Sequence, residues 1–122
     1  MINVEKYWAS VIAQDATEMK SFLAPDAVIK WHCTNERFTV DEFVKANCEY
    51  PDKWKGEIEK TMAVDGSTVL TVVRIYNERL SCHCVSLIHY FNDKIISIDE
   101  YWGDDGEAPN WRKAMNIGKK IK

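Results

Sequence analysis

A carboxylate flanked by isoleucine and tryptophan on its own strand face is the residue pattern here with the most chemical consequence. The run Lys94-Ile95-Ile96-Ser97-Ile98-Asp99-Glu100-Tyr101-Trp102 follows an Asn92-Asp93 turn and ends at Gly103. Its period-two reading puts Ile96, Ile98, Glu100 and Trp102 on one face and Ile95, Ser97, Asp99 and Tyr101 on the other. An acid in such company is costly to bury unless it is hydrogen-bonded, protonated or open to a cavity. The strand therefore predicts a pocket, and it predicts a Glu100 pKa raised by desolvation, with no lysine or arginine placed to offset it. Such a group could exchange a proton with a ligand near neutral pH.

Three histidines and four cysteines, Cys33, Cys48, Cys82 and Cys84, are the other chemically active side chains. Cys82 and Cys84 are one residue apart in a strand pattern, so they share a face and lack the C-x-x-C spacing of zinc or redox loops. No ligand spacing is present, so neither a metal nor a cofactor is expected. The opening residues lack the pattern of a secretory leader, which predicts free thiols and a cytoplasmic setting.

A length of 122 residues fits one domain, 1–122, with enough burial for a real core. The formal net charge of −3 and the absence of a clustered basic patch argue against nucleic acid as a partner. No apolar run approaches the length of a membrane span. Five tryptophans and five tyrosines are many for this length, and they need a pocket wall or an interface to pack against.

The elements that must position these groups can be read in order. A helix runs from about Val4 to Gln14, capped by Asn3, with Tyr7, Trp8, Val11 and Ile12 on one stripe. A second begins at Asp15, with Glu18 as its capping-box partner, and stops at Pro25-Asp26. A strand from Ala27 to Cys33 carries Trp31 on its more apolar face. A short strand follows around Arg37-Phe38, then a third helix capped by Thr39 and Glu42 that reaches Cys48. The aromatic loop Glu49–Trp54 reads as a lid or a packed corner. Strands over Lys55–Val64, Thr68–Tyr76 and Leu80–Phe91 precede the last one. Helices followed by consecutive strands predict an α+β fold with a mostly antiparallel sheet.

This order, from the first helix through Leu23-Ala24-Pro25-Asp26-Ala27-Val28 to the last strand, resembles the nuclear-transport-factor-2-like superfamily. Within it, the chain resembles the SnoaL-like (polyketide cyclase-like) proteins and, more distantly, the ketosteroid isomerases. The resemblance implies a cone-shaped barrel, in which a strongly curved sheet wraps N-terminal helices, with a ligand cavity at the mouth and an outer face that pairs into dimers. Tyr7 falls where the isomerases keep an oxyanion tyrosine. Trp31 and Leu87 fall where they keep two essential aspartates, so most of that chemistry is not carried over.

The same register implies that His83, Val85, Leu87 and His89 face the cavity from one strand, and Ile98, Glu100 and Trp102 from the next. The implied catalytic candidates are Glu100, His83 and Tyr7, and the implied ligand walls are Trp31, Leu87, Ile98, Trp102 and His89. The opposite face, with Cys82, Cys84, Ser86, Ile88, Tyr90, Ile95 and Tyr101, is apolar enough to predict a homodimer. Trp111 is expected to anchor an otherwise solvated acidic tail.

Two function classes follow. The first is a binding protein for a small apolar or aromatic molecule. The alternative is an acid–base enzyme of isomerase, cyclase or lyase type on a small apolar or ring-containing substrate, with Glu100 or His83 as base and Tyr7 as electrophile.

Overall fold

Side-chain caps set the three main helices. In the computed structural model, which describes residues 2–121, α1 (Val4–Ile12) begins at Asn3, whose side chain accepts the Lys6 amide at 3.0 Å. The second helix, α2 (Ala16–Phe22), begins at Asp15, which accepts the Glu18 amide at 3.1 Å. A reciprocal capping box between Thr39 and Glu42 opens α3 (Val40–Cys48). The first helix ends short of Gln14 because that residue turns left-handed, with φ of +56°.

Six strands form one mixed, open sheet: β1 (Leu23–Trp31), β2 (Glu36–Phe38), β3 (Lys55–Asp65), β4 (Thr68–Tyr76), β5 (Ser81–Phe91) and β6 (Lys94–Asp104). Their order is β2-β1-β6-β5-β4-β3, with β1 and β6 parallel and every other pair antiparallel. A turn of 3-10 helix, His32–Thr34, links β1 to β2, and a four-residue helix, α4 (Asn110–Lys113), lies in the tail. The arrangement is the α+β fold expected from the order of elements and the cone implied by the resemblance, with the sheet left open rather than closed into a barrel. No helix of the described residues is long and apolar enough to cross a membrane.

The core lies between the helices and the inner face of the sheet. Tyr7, Trp8 and Val11 of α1, Met19 of α2 and Phe43 and Val44 of α3 pack with Ile29, Val73, Ile88, Ile95 and Ile98. Each large apolar side chain buried here contributes about 1.5–3 kcal/mol. The four cysteines are free thiols.

Two facing expectations are corrected. Cys82, Cys84, Ser86 and Ile88 point inward, while His83, Val85, Leu87 and His89 lie on the outer face. Cross-strand register decides the matter: Ser86 is directly opposite Glu100, Cys84 opposite Trp102 and Ile88 opposite Ile98. The histidines are then free to meet outer-face carboxylates. On β6, Ile96 is exposed and Ile95 is buried, because a bulge at Ile96 shifts the alternation by one residue. The tail departs as well. Trp111 is exposed and its ring lies under the Arg112 guanidinium, 5.2 Å from the ring centroid, so it anchors nothing in the core.

Candidate functional site

Strand register assembles a polar row across an otherwise apolar inner face. Thr71 of β4 pairs with Ser86 of β5, Ser86 with Glu100 of β6, and Glu100 with Trp31 of β1. One transverse line therefore carries four side chains able to hydrogen-bond. Thr71 is satisfied by α1, accepting from Trp8 Nε1 at 3.0 Å.

Glu100 is 1% exposed. Its Oε1 accepts from Trp31 Nε1 at 3.0 Å, and its Oε2 accepts from Ser86 Oγ at 2.6 Å and from Cys84 Sγ at 3.6 Å. Burial raises its pKa above the usual glutamate range, and the donors from Ser86, Trp31, Cys84 and Trp102 oppose that shift without cancelling it. Although Trp102 is close enough to help the anion, its Nε1 makes no hydrogen bond of normal geometry. Trp102 Nε1 and Tyr7 Oη are both buried without a hydrogen-bond partner in the protein. Burial, followed by the nearby Glu100 and Cys84, pushes the Tyr7 hydroxyl well up, so Tyr7 is a donor. Cys84 is likewise raised by burial and by Glu100, and stays a thiol.

Above this cluster lies a cavity of about 340 Å³. Val11, Ile12 and Gln14 at the end of α1 and Ala46 and Asn47 of α3 form one side. Tyr50 and Trp54 of the following loop form a second. Trp31, Cys33, Thr34 and Glu36 line it around the β1–β2 turn, and Ile75, Cys82, Trp102 and Asp104 line it from the sheet. Trp31 and Trp102 meet edge to face at 6.0 Å, and Tyr50 and Trp54 do so at 5.5 Å. The loop is held by its own bonds: Trp54 Nε1 donates to the Pro51 carbonyl at 3.0 Å, and the Gln14 amide donates to the Tyr50 carbonyl at 2.8 Å.

The anticipated site residues thus divide into three groups. Trp31 and Trp102 line the cavity. Glu100, Tyr7 and Ile98 lie behind them in the core and are not part of the lining. His83, Leu87 and His89 stand on the opposite side of the sheet, which corrects their assignment to the pocket. There His83 contacts Asp105 Oδ1 at 2.5 Å and Glu59 Oε1 at 3.1 Å. The Asp105 hydrogen bond raises its pKa against a smaller effect of burial. His89 bridges Thr68 Oγ1 at 3.0 Å and Asp99 Oδ2 at 3.1 Å, and His32 takes the other Asp99 oxygen at 2.7 Å while stacking on Tyr101. Among the described residues no group of three or more His, Cys, Asp or Glu is arranged to hold a metal ion.

Ser86, Gln14, Asn47 and Asp104 were not anticipated from the sequence. Ser86 is set opposite Glu100 only by the bulge at Ile96, because regular pairing outward from the Asn92-Asp93 hairpin would place Val85 there. Gln14 is brought to the cavity by the left-handed turn after α1, and Asn47 and Asp104 stand near the C-terminal ends of α3 and β6, where periodicity does not single out a polar residue.

Comparison with solved structures matches this arrangement of elements. The chain aligns over 98% of its length with 87% of a protein from Kribbella flavida provisionally called a ketosteroid isomerase, at TM-score 0.80 and 20% identity. It aligns over 98% of its length with 92% of an NTF2-like protein of unknown function from Burkholderia xenovorans, at TM-score 0.77 and 21% identity. The chain has the nuclear-transport-factor-2-like fold. A provisionally named SnoaL-like polyketide cyclase from Shewanella denitrificans also aligns, with 82% of this chain and 87% of that one covered, at TM-score 0.68 and 9% identity. No family model matches the sequence, and neither does any curated protein.

Proposed function

We propose that this chain is a small-molecule-binding protein that holds a small apolar or aromatic molecule in the cavity between α1, α3 and the Trp102 end of β6. The observation that carries this reading is the cavity itself, about 340 Å³ walled by Trp31, Tyr50, Trp54 and Trp102. A space of that size with aromatic walls and a few polar groups suits a single-ring ligand. Glu100 serves the wall from behind, because its bond to the Trp31 indole fixes the orientation of that ring. Neighbours of the same fold whose names refer to isomerase and cyclase activity support a small-molecule role at the level of fold only.

Titrating the protein with benzyl alcohol while following tryptophan fluorescence tests the reading. A saturable change that Trp102→Ala weakens is expected. A flat titration, or saturation indifferent to Trp102 and Trp54, counts against it.

A second reading, an acid–base enzyme, is favoured by one specific observation. Tyr7 Oη and Trp102 Nε1 are unpaired beside a buried carboxylate whose pKa is raised. In that reading Trp31 and Trp102 part to admit a ring-containing substrate, Glu100 exchanges the proton and Tyr7 donates to the developing oxyanion. Deuterium incorporation into a cyclic ketone that is lost in both Glu100→Gln and Tyr7→Phe is its expected signature. Exchange that survives both substitutions would remove it.

A further inference from the structure

We infer that the ligand of this cavity carries a protonated amine on its small apolar or aromatic body. The inference rests on the cavity being the ligand site and adds the ligand's charge, which follows from where the cavity's hydrogen-bond donors are already engaged. Gln14 Nε2 donates to the Asn47 and Tyr50 carbonyls at 3.0 and 2.8 Å. Asn47 Nδ2 donates to the Val11 carbonyl at 2.9 Å and makes a longer contact to Met19 Sδ at 3.5 Å. Both side-chain amides have their N–H groups turned to the protein, which leaves their oxygens as acceptors. Reversing the Gln14 amide would set its oxygen against two carbonyl oxygens, so this orientation is fixed by chemistry.

The tryptophans add no donors either. Trp54 Nε1 is bonded to Pro51, Trp31 Nε1 is bonded to Glu100, and Trp102 Nε1 is buried on the Glu100 side. Thr34 Oγ1 donates to Glu36 Oε1 at 2.7 Å, and Cys82 Sγ donates to the Ile75 carbonyl at 3.6 Å. Among the lining side chains this leaves the Tyr50 hydroxyl and the Cys33 thiol as donors. Set against them are two amide oxygens and the carboxylates of Glu36 and Asp104, and no lysine, arginine or histidine lines the cavity.

The negative character reaches the wall. Burial raises the Cys82 pKa, and Asp104 and Asp105 raise it further. A carboxylate or phosphate ligand would meet acceptors of its own kind and no compensating cation. An ammonium group would find acceptors for its N–H groups, two carboxylates for its charge and indole rings for cation–π attraction.

Isothermal titration of the full chain at neutral pH and low salt with three probes sharing one ring, benzylammonium, benzyl alcohol and benzoate, tests the inference. Benzylammonium is expected to bind roughly threefold tighter than benzyl alcohol, the scale of cation–π and charge contacts at a site whose carboxylates, Glu36 and Asp104, are exposed. Benzoate is expected to bind more weakly than either. The double variant Glu36→Gln, Asp104→Asn should weaken benzylammonium binding more than it changes benzyl alcohol binding, and so narrow the ratio between the two; a ratio that does not fall overturns the charge inference. Equal binding of benzylammonium and benzyl alcohol, or tighter binding of benzoate, overturns the charge inference while leaving the cavity reading intact. Failure of all three to bind overturns the cavity reading and the inference with it.

Discussion

Trp31 and Glu100 are register partners across the parallel β1–β6 pair, and the Trp31 indole donates to Glu100 Oε1 at 3.0 Å. The bond ties the cavity wall to the buried acid. Trp31→Phe keeps an aromatic ring and removes the donor. It should raise the Glu100 pKa further and destabilise the fold by about 1.5–3 kcal/mol, the cost of losing a hydrogen bond to a charged group. Side-chain carboxyl NMR titration with urea unfolding checks both. An unchanged Glu100 titration in the variant would mean that the indole does not stabilise the anion.

Because the folded pKa of Glu100 is raised, this group contributes a pH-dependent stability of definite sign. Nothing is lost below the unfolded value near 4.5, and stability falls as pH rises from there until the folded pKa is passed. The loss amounts to about 1.4 kcal/mol for each pH unit by which the folded pKa exceeds the unfolded one. Glu100→Gln removes this dependence, so the variant should gain on the native protein between pH 4 and pH 7. The difference between the two unfolding curves at those two pH values reads the effect free of any fixed packing change. A difference that does not move with pH would mean that the acid titrates normally.

The helix starts, the extent of β4 and the inward side of Ile98, Glu100 and Trp102 were legible in the sequence, because caps and period-two alternation are local signals. The facing of β5 was not. Its two faces, Cys82-Cys84-Ser86-Ile88 and His83-Val85-Leu87-His89, are about equally amphipathic, so alternation alone leaves a choice. Only pairing with β6, which sets Ser86 against Glu100, makes that choice. Ile96 was misread because a bulge breaks the period within one strand. Trp31 and Trp102 border the space between α1, α3 and β6, whereas Glu100, on the same inner face, lies behind them. Burial on a concave face and access from its mouth are separate conditions, and here two indoles stand between them.

The corrected outer face also bears on assembly. We propose that two copies pair through it, because Leu70, Val72, Val85 and Leu87 form a half-buried apolar patch there. Light scattering at micromolar concentration should give twice the 14.2 kDa chain mass. Leu87→Glu, which leaves the inner core untouched, should give the chain mass with an unchanged circular dichroism spectrum. A native protein that scatters as a single chain would remove the proposal.

Gly56 and Ile12 provide the last prediction, which joins the cavity to stability. A Cβ on Gly56 would lie 2.1 Å from Ile12 Cδ1 and 2.8 Å from Cγ1, so Gly56→Ala must displace that side chain. Ile12 sits on a helix, where one χ1 rotamer dominates, and it lines the cavity beside Val11. Displacing it should cost about 1–3 kcal/mol and weaken the binding of benzyl alcohol, since the wall must rearrange. In an Ile12→Ala background the same Gly56→Ala change meets no side chain. It should then be neutral or slightly stabilising, because alanine restricts the unfolded chain more than glycine does. Urea unfolding of the four proteins in this cycle reads the coupling directly. If the two substitutions prove additive, the clash does not govern this edge of the cavity, and Ile12 is not the residue that glycine makes room for.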